Sequence, residues 1–214
     1  MIMKFLKLAI FLLLLSCVGR QNKVPIVDGT SLQQPDSMAL ILNNKGVYLM
    51  GQALMTDDSV IKKVLYDSAL IYLEDAIRED SQYVLAYTNK SQVLRKIGNL
   101  KASLEPLEMA RTIDRDLAEV IMAQGFTLEK MGDMELAMQK YREALVAFEK
   151  RLHDRPNDIK VQLDIAFLYI FLEDQNKAVD EVENLIIEKP DMDDLKEFER
   201  YVKEFDRKKF IEGY

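Results

Sequence analysis

Tryptophan is absent, and one cysteine, Cys17, and one histidine, His153, stand among 214 residues. A single cysteine excludes an internal disulfide. A single histidine, beside Asp154 and Arg155 at an expected helix end, falls short of a hydrolase triad or a zinc site and reads as a solvent-facing residue. Neither GxGxxG nor GxxxxGK[S/T] occurs, which removes the glycine-rich phosphate loops. The acidic groups Asp57, Asp58 and Asp191, Asp193, Asp194 lack calcium-loop spacing and read as helix caps. With only 8 Gly and 5 Pro, long disordered stretches are not expected beyond the N-terminal region. Basic residues are also in deficit, 29 against 36 acidic, for a net charge of −7. Phosphate neutralisation needs clustered Lys and Arg, so nucleic acid is not an expected partner, and the folded part is ill-suited to lie on anionic lipid. No constellation for catalysis, metal or cofactor binding emerges, and the chain is expected not to be an enzyme.

What the chain does have begins at its start. Lys4 and Lys7 precede an apolar run over residues 8–15, followed by Ser16 and Cys17. A basic start, a short apolar core and a small residue before a cut describe a secretory signal. The run is far short of the about 20 residues that span a bilayer as a helix. Leu14-Leu15-Ser16-Cys17 resembles the bacterial lipoprotein box. That resemblance implies a signal peptide over 1–16, cleavage before Cys17, and lipid attachment there. More than one acyl chain then gives stable anchoring in a bilayer. The expected location is the bacterial envelope, facing periplasm or surface. Val18, rather than Asp, after the cysteine favours the outer membrane over the inner. Residues 17–36, with Gly19, Gly29, Pro25 and Pro35, read as a tether. The fold should start near Ser37, a suitable helix cap.

From there small residues recur in register. Ala69, Ser103 and Ala137 stand 34 residues apart, and Ala178 follows 41 later. Ala76, Ala110, Ala144 and Leu185 trail them by seven, and Gly46, Ser91, Gly125 and Ala166 form an upstream set. Leu49, Leu94, Leu128 and Tyr169 lie three residues after the upstream set, and Leu73, Leu107, Tyr141 and Val182 four after the Ala69 set. Spacings of three and four put these on one helical face, and small side chains let two helix backbones approach closely. A 34-residue period of this kind marks an array of helix–turn–helix units.

The pattern resembles the tetratricopeptide repeat over about residues 37–190. Leu42, Tyr87, Ile121 and Gln162 occupy the opening large position; Gly98 and Gly132 match the turn, Glu173 does not; Pro156 and Pro190 match the closing proline. The resemblance implies an all-α, right-handed superhelical solenoid of four units, about 37–80, 82–115, 117–156 and 158–190. Residues 191–214 should form a capping helix, with Leu195, Phe198, Val202 and Phe205 on one face. Its expected span is 192–209. Eleven surplus residues in the first unit fall around 56–63, as a longer loop or longer helices. Seven in the third belong to its second helix. Pro106 should bend or weaken an early helical turn.

First helices of such repeats line a concave groove. The inward set is Val47 and Met50, then Thr88, Asn89, Gln92, Arg95 and Lys96, then Met122, Phe126, Glu129 and Lys130, then Leu163 and Phe167. One end is polar and basic, the other apolar, which suits an amphipathic helix or extended peptide. Phe167, Ile170 and Phe171 belong either to the groove or to the packing under the cap. Asn89 matches one position of the family's carboxylate clamp, but the remaining positions do not, so chaperone tails are disfavoured. The expected function is a membrane-anchored scaffold that holds a protein or peptide beside an envelope assembly or secretion machine. The alternative is a glycan- or peptidoglycan-binding envelope protein. The sequence leaves the partner and the oligomeric state open.

Overall fold

A computed structural model describes residues 34–214, and Cys17 and most of the expected tether lie outside that range. The described residues are all helical, with ten helices and no strand among them: α1 Ser37–Met55, α2 Ser59–Glu79, α3 Val84–Lys96, α4 Leu100–Ile113, α5 Ala118–Met131, α6 Met134–Asp154, α7 Ile159–Phe171, α8 Gln175–Glu188, α9 Asp193–Lys203 and α10 Arg207–Gly213. They form two compact units, one ending at Ile97 and the other Gly98–Tyr214. None of these helices is long and apolar enough to cross a membrane.

In the first unit, Asp36 rather than Ser37 caps α1, its carboxylate accepting from the Met38 and Ala39 N–H groups. Asp58 does the same for α2 through Val60 and Ile61. The surplus residues of this unit are helix, not loop: α1 has 19 residues and α2 has 21, against 13 in α3. Ala53 and Met50 of α1, Tyr66, Ala69 and Leu73 of α2, and Val93 of α3 share one core. Gly46 makes the α1–α2 approach possible, because a Cβ there would lie 2.7 Å from Leu73 Cγ. Ala39, Ala76, Tyr83 and Ala86 form a second cluster.

The second unit repeats the logic. Ser103, Ala137 and Ala178 are fully buried, as is Ala69 in the first unit. Gly125 meets the Tyr141 ring, where a Cβ would lie 2.6 Å from Cδ1. The seven extra residues of the third repeat lie in α6, which has 21 residues against 14 in α4. Helix α4 runs without interruption from Leu100 to Ile113, with Pro106 buried inside it. The α5–α6 turn has Gly132 at φ 87° and the α7–α8 turn Glu173 at φ 65°. The two turns share a left-handed corner that in one case a glutamate supplies.

The expected single cap over 192–209 is two helices. Gln175 Nε2 donates to the Val202 and Lys203 carbonyls, at 2.9 and 3.3 Å, and so closes α9 from the side. Asp206 then accepts from the Lys209 N–H and starts α10. Leu195, Phe198 and Val202 of α9 are buried.

Candidate functional site

In the first unit, the expected inward residues lie on α1 and α3. Met50 is core, and Val47 packs half-buried against the same cluster. Asn89 is 1% exposed and donates to Asn43 Oδ1 at 2.8 Å. That amide pair is enclosed, and the bond pairs a buried donor with a buried acceptor. Arg95 is likewise buried and donates to Ser91 Oγ at 2.8 Å. Thr88 bonds its own helix at the Leu85 carbonyl. Thr88, Gln92 and Lys96 remain half-exposed on α3.

The second unit departs from the expectation of an open apolar groove. Phe126 is fully buried and Met122 is 3% exposed. Phe167, Leu163, Glu129 and Lys130 are half-buried. The α5–α7 face is filled by the chain's own final segment. Phe210 lies 5.3 Å from Phe126, 5.6 Å from Phe167 and 5.5 Å from Phe171, between ring centroids. Tyr214 reaches Phe126 at 4.9 Å, while Phe205 covers Phe167 at 5.3 Å and Phe171 at 5.6 Å. All six of these pairs are edge-on, an arrangement favoured by aromatic quadrupoles. Ile170 and Phe171 are thus buried under the cap, and the cover extends as far as Phe126.

Polar groups at the rim give this cover a direction. Arg207 forks onto Glu129, with Nε to Oε1 at 2.7 Å and Nη2 to Oε2 at 3.1 Å. Its guanidinium also lies 5.4 Å over the Phe171 ring. Tyr141 donates its hydroxyl to the same carboxylate at 2.6 Å. Burial, then the Glu129 acceptor and charge, push the Tyr141 phenol well above its ordinary value. Lys130 Nζ donates to the Glu212 carbonyl at 3.0 Å, placing a cation at the last turn of α10. Glu129 and Lys130 were expected at the site. Arg207, Phe210 and Tyr214 were not, because they approach from about 80 residues away. The one sequence signal was Asp206, a capping residue before Arg207.

A second polar group ties α5, α6 and α7. Arg151 forks onto Glu119 at 2.7 and 3.0 Å, and Lys160 bridges Asp164 at 2.7 Å and Glu119 at 3.4 Å. Burial opposes charge on Glu119, but the hydrogen bonds and charge of Arg151, with Lys160, override it and hold the carboxyl at about 2. At Asp164 burial dominates, with the negative charge of Glu119 adding to it, and the carboxyl stands at about 6 despite Lys160. Two carboxylates one helix apart are thus pushed in opposite directions by their partners. Both groups are tied up in ion pairs, which gives them a structural role.

His153 is exposed at the end of α6. Among the described residues, no group of three or more His, Cys, Asp or Glu is placed to hold a metal ion. A cleft of about 420 Å³ on the first unit is lined by Ile41, Asn44, Lys45, Tyr48, Leu49 and Tyr72.

No protein-family model matches the chain, and no curated protein matches it. Solved structures do. A tetratricopeptide repeat protein from Parabacteroides merdae is 17% identical with a TM-score of 0.52, the match covering 82% of this chain and 59% of that one. The first such domain of human RPAP3 is 19% identical with a TM-score of 0.42, covering 64% and 93%. A thermophilic protein of the same type from Thermus thermophilus is 15% identical with a TM-score of 0.35, covering 73% and 98%. This chain therefore spans under two thirds of the length of the Parabacteroides protein. Successive helix pairs, small residues buried where the period places them, and that first structural likeness together give the chain the tetratricopeptide-repeat fold.

Proposed function

We propose that the chain is a non-catalytic adaptor, held by lipid at Cys17 in the bacterial envelope, that binds a helical or extended segment of another protein. One observation carries the binding half of this reading. The α5–α7 face seats a short helix, engaging it by an Arg–carboxylate fork, aromatic contacts and a lysine on its last turn. A face that seats one such helix has the chemistry to seat another. The anchoring half rests on the basic start, the short apolar run and Leu14-Leu15-Ser16-Cys17. Val18 after the cysteine supports the outer membrane, and the fold's use as a scaffold supports service to an assembly or secretion machine.

Two experiments test the halves separately. Cys17→Ser should abolish incorporation of labelled palmitate and release the protein from the membrane fraction; labelling that persists would refute the anchor. Capture from detergent-solubilised membranes should retain a stoichiometric protein at several salt concentrations. Recovery of none would sink the adaptor reading.

A second reading has one observation in its favour. Tyr48 is 65% exposed and shares the α1–α2 cleft with Tyr72, Asn44 and Lys45. An aromatic platform beside polar donors suits a sugar ring. Thermal shift against a glycan and peptidoglycan panel, repeated with Tyr48→Ala, separates this from the adaptor.

A further inference from the structure

Helix α10 has only seven residues. A helix that short is not stable in water by itself and depends on the surface beneath it. Residues 204–206 separate it from α9, so it can leave without unwinding α9. Its anchorage is concentrated in few groups, beginning with Ile211, its one buried side chain. Arg207 pairs with Glu129, whose side chain is 8% exposed; Phe210 and Tyr214 meet Phe126; the Glu212 carbonyl meets Lys130. Lys208 and Lys209 point to solvent.

The floor under α10 has a polarity of its own. Glu129 demands a cation at the first turn of whatever lies there. Lys130 receives the carbonyl end of the last turn, where a cation is favoured. Between them the rings of Phe126, Phe167 and Phe171 receive an aromatic three residues after the cation, and Phe126 another four residues later. Charge and shape thus specify both the direction and the side-chain spacing of the occupant.

We propose that α10 stands in for a partner: the α5–α7 groove receives, in exchange for α10, a short amphipathic helix of another protein. That helix carries Arg or Lys in its first turn and aromatic residues three and seven positions on. This rests on the adaptor reading and gives it an occupant and a gate. A tethered helix competes at high effective concentration, so only a partner of matching chemistry displaces it.

The test uses the full chain and a labelled synthetic peptide with the sequence of residues 204–214. The unaltered protein should bind this peptide weakly, because its own copy holds the groove. Arg207→Ala with Phe210→Ala should bind it at least about tenfold more tightly. A peptide with alanine at both those positions should not bind either protein. Equal affinity of the two proteins for the peptide, or binding by neither, overturns the proposal. So does a dimer of the unaltered protein that the peptide dissociates, which would assign the groove to a second copy. Should the double variant fail to fold, amide exchange in the unaltered protein decides. Helix α10 should exchange at least about tenfold faster than α9, and equal rates overturn the proposal. Peptide binding is read without any natural partner, so a failed membrane capture and a failed exchange are separate results.

Discussion

Gly125→Ala isolates the close approach on which the helix pairing rests. A Cβ at residue 125 would lie 2.6 Å from Tyr141 Cδ1. The ring has nowhere to go: Tyr141 is fully buried, packed 5.6 Å from the Phe126 centroid and 5.3 Å from that of Phe171, with its hydroxyl held by Glu129. Forcing a methyl into such a site costs about 2–3 kcal/mol. Alanine recovers about 1 kcal/mol of helix propensity. The expected net loss is about 1–2 kcal/mol, which at a urea m-value of about 2 kcal/mol/M lowers the midpoint by about 0.5–1 M. Gly51→Ala is the internal control, because nothing lies within 4 Å of its added Cβ in α1. It gains helix propensity at no steric cost, by about 0.5–1 kcal/mol, and should raise the midpoint. Far-UV circular dichroism in urea reads both. A Gly125→Ala protein as stable as the unaltered one, or more so, would refute the claim that small residues are required for the α5–α6 contact.

Glu173 adopts the left-handed turn at φ 65° and is exposed. Glu173→Gly relieves that strain and should raise the urea midpoint, by about 0.5–1 kcal/mol in stability; a lower midpoint would show that the long Arg207 contact at 4.0 Å matters more. Asp164 gives a pH test. Its folded carboxyl, held at about 6 mainly by burial, lies above the ordinary 3.8, so the stability it contributes is present below that value and is lost as pH rises through about 6. Asp164→Asn should therefore gain thermal stability relative to the unaltered protein between pH 4 and 7, and a constant or shrinking difference would refute the assignment. Glu119 has the opposite sign: its carboxyl, held at about 2 by Arg151 and Lys160, contributes stability present above about 4.5 and lost as pH falls toward 2. Arg151→Met should make the protein unfold at a higher pH on acidification, and an unchanged acid midpoint would count against the pairing.

The helix pairs were legible in the residues themselves because their cause is local. Spacings of three and four define a face, and Ala69, Ser103, Ala137 and Ala178 could fill their positions only if each was pressed against another helix. Capping was nearly as legible, one residue off at Asp36. The charge balance, the solitary Cys17 and the apolar run before it are likewise properties of the chain as written.

The cover over the second unit was not legible. A cap carrying Phe205 left Phe167 open between groove and cover, but Phe126 carries the pattern of a groove residue, and nothing near it in sequence says that Phe210 and Tyr214 lie on top. Glu129 meets an arginine 78 residues away, and Lys130 a carbonyl 82 away. The end of α9 is set by a glutamine reaching across from α8. A repeat fixes which face of each helix turns inward, since that follows from period alone. Whether an inward face stays open depends on where a distant segment finds matching charge and rings, and only the assembled tertiary structure decides that.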